Sequence, residues 1–162
     1  MRYLSGEEEK KARKYIDEAA NIALDSTCLR RKCGAVIVKD EKVIGRGYNS
    51  PTMRLESQRR CHLNKEEYDK KVTDKTCCVH AEQRAIINAL ENNPFGIIDS
   101  TLYFARLNEN EKNIFAGKPY CTICSKLTLD VGIGRFVLWH EGGICEYSTE
   151  EYNDISYNYR GE

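Results

Sequence analysis

The sequence predicts an α/β fold, a mixed sheet with helices packed on it. Three observations carry this. Residues 7–25 place apolar side chains at helical spacing, residues 33–49 read as two β-branched strands around a charged tight turn, and residues 81–139 alternate helix with strand.

In the first helix Ala12, Tyr15, Ile16, Ala19, Ile22 and Ala23 share one face. The stretch C-G-A-V-I-V-K-D-E-K-V-I-G-R-G-Y-N then supplies strands at about 34–39 and 43–48. Residues 50–78 are polar, with Pro51, the pair Arg59–Arg60 and the run N-K-E-E-Y-D-K-K. They predict a long loop, and such a loop inside one domain needs a function or a staple. A-E-Q-R-A-I-I-N-A-L-E-N-N is a helix from Ala81, stopped at Asn93–Pro94. S-T-L-Y-F-A is a strand, and N-E-N-E-K-N-I-F-A-G-K is a second polar loop. T-I-C-S-K-L-T-L-D-V-G-I is a helix ending near Gly132. G-R-F-V-L-W is a strand, parallel to the preceding one because a helix joins them. The acidic, tyrosine-rich tail at about 146–162 forms a last short helix. The expectation is one domain over residues 1–162.

Of the 162 residues 41% are hydrophobic and 31% charged, as in a soluble globular protein. Lys plus Arg equals Asp plus Glu at 25 each, so no global field draws the chain to nucleic acid or an anionic membrane. The N-terminus lacks the apolar core of a secretory signal, and no run approaches the ~18 apolar residues of a membrane span. The expected location is therefore cytoplasmic. Eight cysteines in such a chain point to metal ligation rather than disulfides.

Cys121 and Cys124, in K-P-Y-C-T-I-C, open a helix, and His80, in V-H-A-E-Q-R, precedes another. If the two helix starts converge, His80, Cys121 and Cys124 offer one Zn²⁺ three ligands and leave its fourth position open for water, as in a catalytic site. Glu82 stands two residues from His80, able to reach that water without binding the metal.

The pattern His80-Ala81-Glu82 followed by Pro119-Tyr120-Cys121-Thr122-Ile123-Cys124 resembles the zinc-dependent cytidine/deoxycytidylate deaminase superfamily. S-T-C-L-R-R-K-C-G-A-V-I-V-K-D at 26–40, G-R-G-Y-N at 45–49 and H-A-E-Q-R-A-I are most similar to its dCMP deaminase branch, over roughly residues 12–138. The resemblance implies a three-layer α/β/α sandwich around a five-stranded mixed sheet. It implies hydrolytic deamination of a cytosine nucleotide, dCMP to dUMP plus ammonia, by zinc-bound hydroxide with Glu82 as proton shuttle. It assigns Arg30 to the nucleotide phosphate, Asn49 to the sugar or pyrimidine, and the backbone at Ala81 to the pyrimidine edge. It further implies a homo-oligomer and a second, structural zinc drawn from Cys28, Cys61, His62, Cys77 and Cys78, which would staple the 50–78 loop.

The chain departs from the family at Tyr120, between the proline and the first cysteine, in the longer loop 106–118, and at Ser50 after G-Y-N. Alternative substrates are a free base or nucleoside, a riboflavin or pterin intermediate, or a tRNA adenosine, and the neutral net charge disfavours the last. A non-catalytic zinc-stapled binding module is the alternative of another class. Among the remaining residues, Arg59–Arg60 read as a solvated face, Cys33 and Cys145 as structural thiols, and Trp139 as core. The tail tyrosines Tyr147, Tyr152, Tyr157 and Tyr159 are read as packing on a partner subunit or stacking a base.

Overall fold

The computed structural model describes residues 1–161. Its regular elements are β1 (Arg2–Tyr3), α1 (Gly6–Ala23), β2 (Cys33–Lys39), β3 (Lys42–Tyr48), β4 (Ser50–Pro51), β5 (Cys78–Val79), α2 (Ala81–Asn92), β6 (Thr101–Leu107), β7 (Asn113–Ile114), α3 (Thr122–Asp130), β8 (Arg135–His140), β9 (Gly143–Ser148) and α4 (Thr149–Tyr157). The main sheet runs β1-β9-β8-β6-β2-β3, with β7 also paired to β6. Five of its strands are six or seven residues long, and the two-residue β1 and β7 are additions to the expected five. Among the described residues only β6 and β8, joined through α3, pair in parallel, as expected of that connection.

Strand alternation sorts the side chains into two cores. Val36, Val38, Ala105, Val137 and Ile144 meet Ala12, Tyr15, Ile16 and Ala19 of α1. Ala35, Ile37, Leu102, Phe136 and Leu138 meet the layer of α2, α3 and α4. The result is the three-layer sandwich. Because β2 is buried on both faces, it reads in sequence as a continuous apolar run. Its hairpin to β3 turns through Asp40 and Glu41, both left-handed (φ 47° and 64°), and Tyr15 Oη donates to Glu41 O at 2.9 Å.

Two expectations change. The segment beginning near residue 146 is not helical from its start, because its first residues complete β9, an antiparallel partner of β8. Ile144 faces one core while Cys145 and Tyr147 face the other, so no one-sided apolar alternation marks this strand. Nor are Arg59–Arg60 a solvated pair. Arg59 forks onto Glu56 with Nε and Nη2, donates Nη1 to Thr27 O at 2.7 Å, and keeps only 13% of its side chain exposed. The 50–78 region is irregular as expected, pinned at its ends by pairing of β4 with β5. No helix among the described residues is long and apolar enough to cross a membrane.

Helix α2 lies directly on β3. It presents Ala81, Ala85 and Ala89, and β3 presents Gly45 and Gly47. A Cβ on Gly47 would stand 2.3 Å from Ala81 O and 2.4 Å from Ala85 N, both backbone atoms that cannot rotate away. Gly47→Ala is therefore expected to destabilise the zinc-loaded protein by about 1–3 kcal/mol. Denaturant unfolding checks this, and an unchanged midpoint would show that α2 can lift from β3 without cost.

Candidate metal centre and active site

Seating α2 this closely fixes where His80, its N-cap residue, stands. The His80 backbone N–H donates to Gln83 Oε1 at 3.0 Å, part of a capping box at the start of α2. Cys121 is the N-cap residue of α3, and Cys124 lies in the first turn of that helix, fully buried. His80 Nδ1 is 3.1 Å from Cys124 Sγ and 3.3 Å from Cys121 Sγ, and the three ligand atoms all lie within 4.8 Å of one another. The two helix starts thus converge as the sequence predicts.

Two sulfurs and one imidazole nitrogen are a zinc donor set. The electrostatics of the metal-free centre fit the same ion. Hydrogen bonds from Cys124 and then His80 pull the Cys121 thiol down to about 4, a thiolate at neutral pH. The hydrogen bond to Cys121 holds His80 up at about 9, and Cys124 is pushed well up because it shares its proton with the same thiolate. The positive ends of α2 and α3 add to the stabilisation of negative charge there.

Glu82 is 6% exposed, and burial raises its carboxyl above the ordinary range while His80 pulls it back. A carboxyl raised in this way holds a proton more readily than a free one, as a proton shuttle requires. It lines a cavity of about 270 Å³ together with His80, Ala81, Cys121 and Tyr152. Four arginines (Arg30, Arg31, Arg60, Arg106) and three lysines also line this cavity, and Glu82 is its only acid among the described residues. A chain of zero net charge has therefore concentrated cations around one opening.

Arg30 and Asn49 both reach the cavity, yet each also holds the protein together. Arg30 donates Nε to Cys61 O at 2.8 Å and Nη2 to Leu63 O at 2.5 Å. Asn49 Oδ1 accepts from Ser26 Oγ at 2.7 Å and from Cys33 N at 2.8 Å, and Nδ2 donates to Arg31 O at 2.9 Å, which leaves one amide N–H. Ala81, in the first turn of α2, is fully buried on the cavity wall.

The second cysteine group also assembles. Cys28, Cys61 and Cys78 bring their sulfurs within 4.8 Å of one another, and Cys77 Sγ is 3.0 Å from Cys61 Sγ and 3.7 Å from Cys78 Sγ. A hydrogen bond from Cys78 lowers the Cys28 thiol to about 5. His62 is exposed and joins neither metal-ligand group among the described residues, because its neighbour Cys61 turns inward in its place.

Cys33 lines the cavity and Cys145 is core. Trp139 packs edge-on against Phe115 at 4.8 Å, under the Arg13 guanidinium, and His140 Nε2 lies 2.8 Å from Tyr147 Oη. The tail tyrosines act mostly within the chain. Tyr147 is core, Tyr152 stacks on Phe136 at 3.9 Å, Tyr159 meets Tyr120 at 5.6 Å, and Tyr157 is exposed. Sequence reasoning offered base stacking as one of two readings of Tyr152, which lines the cavity, and missed Arg106. Arg106 was accessible to it, since it continues the Leu102–Phe104 face of β6.

Comparison with known proteins places this geometry. The family model described as "Cytidine and deoxycytidylate deaminase zinc-binding region" matches residues 9–140. The chain belongs to this family of zinc-binding deaminases. Among solved structures it is similar to the dCMP deaminase of cyanophage S-TIM5 in complex with dCMP and dUMP, at 21% identity over 82% of each chain and a TM-score of 0.56. It is also similar to the cytidine deaminase of Burkholderia pseudomallei, at 17% identity over 86% of this chain and 94% of that one, again with a TM-score of 0.56. At these identities the likeness is one of fold. No curated protein matches the chain.

Zinc entering this centre at neutral pH must displace protons from His80, held up at about 9, and from Cys124. Both must be unprotonated to ligate, so apparent zinc affinity is expected to rise with pH by roughly a hundredfold per unit between about pH 6 and pH 8. Competition against a chelator across that range measures it, and a pH-independent affinity would contradict the assigned ligands. Cys121→Ser and Cys124→Ser should each lower the zinc content, read by metal analysis of the purified protein.

Proposed function

We propose that the chain hydrolytically deaminates a cytosine nucleotide, most simply dCMP to dUMP and ammonia. One observation carries the reading: the centre formed by His80, Cys121, Cys124 and Glu82 opens into a cavity ringed by cations. A neutral base or nucleoside has no use for that ring, whereas a monophosphate does.

His80 Nδ1 and the sulfurs of Cys121 and Cys124 would hold the zinc, and the cavity lies on the side where Glu82 stands. Bound there, zinc supplies a Lewis acid that makes a water molecule acidic enough to attack at neutral pH. Glu82 takes one proton from that water and passes it to the ring nitrogen beside the reacting carbon; as the added oxygen becomes the carbonyl, Glu82 takes its second proton and hands it to the amino group, whose bond to carbon breaks to release ammonia. Its raised proton affinity favours the return steps. The backbone at Ala81 meets the polar edge of the pyrimidine, and Asn49 offers its remaining N–H to the sugar or base. Arg30 contributes charge and its Nη1 to the phosphate.

The same reading gives Cys28, Cys61 and Cys78, with Cys77 beside them, to a second zinc that staples the 50–78 loop. Through the Cys61 and Leu63 carbonyls this staple also orients Arg30.

Glu82→Gln should retain zinc and lose about 10²–10⁴-fold in turnover of dCMP, followed as ammonia release. A variant as active as the wild type would remove Glu82 from the mechanism. Arg30→Ala should raise the KM for dCMP about tenfold and that for deoxycytidine by less, because both substrates feel the lost tether to the Cys61 and Leu63 carbonyls but only dCMP loses a charge-assisted contact.

A further inference from the structure

Strand β6 points Leu102, Phe104 and Arg106 toward the α2–α3 layer, so its last inward side chain is an arginine where the two before it are apolar. Arg106 pairs across the sheet with Cys33 and lines the same cavity as Glu82 and Cys121. Its Nη2 donates to Phe115 O at 2.7 Å, and the Phe115 ring is in turn held edge-on by Trp139, so the guanidinium is anchored. Its Nε is buried and has no hydrogen-bond partner among the described residues. A buried guanidinium N–H without a partner is costly, and a ligand oxygen drawn to the cavity-lining Arg106 would relieve that cost.

Arg30 differs in the decisive respect, since its Nε and Nη2 are already given to Cys61 O and Leu63 O. The depth of the site sets which end of a nucleotide Arg106 meets. The reacting ring must lie against Glu82 and the buried ligands. Arg106 is half-buried at the cavity wall, and Lys118, which is exposed, lines the same cavity. The far end of a mononucleotide lies there, and a planar fork of N–H donors suits a phosphate.

We propose that Arg106 is a specificity-determining residue whose guanidinium binds the substrate phosphate from the β6 side of the cavity. This rests on the nucleotide reading above. It also gives the long loop after β6 a purpose: the loop carries Phe115, which fixes Arg106, and Lys118, which adds charge beside it.

Steady-state kinetics of the zinc-loaded wild type, Arg106→Leu and Arg106→Lys on dCMP and deoxycytidine test the proposal, alongside calorimetric titration with pyrophosphate and thermal melting. Arg106→Leu is expected to raise the KM for dCMP at least about tenfold and to weaken pyrophosphate in parallel, with deoxycytidine kinetics and melting temperature little changed. Arg106→Lys should fall between, because it keeps the charge and loses the planar fork. Equal losses on dCMP and deoxycytidine in both variants would reduce Arg106 to a support for the loop and overturn the proposal. So would unchanged dCMP kinetics or pyrophosphate affinity in Arg106→Leu. Should the wild type deaminate neither compound, the nucleotide reading falls, and the pyrophosphate titration still decides whether Arg106 is an anion site.

Discussion

The contact between α2 and β3 governs the rest of this molecule. Alanine meets glycine along it, and the backbone of the helix approaches the strand so closely that no side chain fits between them. That contact leaves α2 little freedom to slide or tilt, so the residue at its start, His80, is held in place before any metal arrives. Helix α3 brings Cys121 and Cys124 to the same point from the other side of the layer. A tightly packed core thereby does what an unfolded chain cannot, presenting three ligands at once and sparing the ion the cost of ordering them.

Charge is distributed with the same economy. Two helix starts favour anionic sulfur, the imidazole shares in a hydrogen-bonded network with both thiols, and Glu82 is kept out of water beside them. The cationic ring around the cavity leaves the chain as a whole neutral, so its field is local to the opening. The second cysteine group sits on the wall of this same cavity, and Arg30 bridges from it toward the opening. Structural order in the 50–78 loop and recognition at the site are therefore connected through a few hydrogen bonds.

Legibility in the sequence followed the physics of each part. The convergence of His80, Cys121 and Cys124, with Glu82 beside them, was readable because metal chemistry restricts residue type and spacing, and helix starts announce themselves through neighbouring residues. The five long strands were readable except β9, where Ile144 and Cys145 serve opposite cores and blur the alternation. Arg59 read as solvated because its partners, Glu56 and the Thr27 carbonyl, come together only through the fold of the loop. His62 was drawn into the second metal group by adjacency to Cys61, yet the two are the central residues of a turn closed by Leu63 N–H donating to Arg60 O, with Cys61 buried and His62 exposed. Asn49 was expected at the substrate, and the structure shows it bracing residues 26–33, a duty that no motif encodes.

The central claim is that the two helix starts hold zinc with three protein ligands and an open fourth side facing Glu82. Anomalous scattering at the zinc edge from crystals of the zinc-loaded wild-type protein tests it most directly. The account expects an ion bonded by His80 Nδ1 and by the sulfurs of Cys121 and Cys124, at about 2.0 Å and about 2.3 Å respectively, with the Glu82 carboxylate beside it but not ligating. A fourth protein ligand closing the ion, or no zinc between α2 and α3, would contradict it.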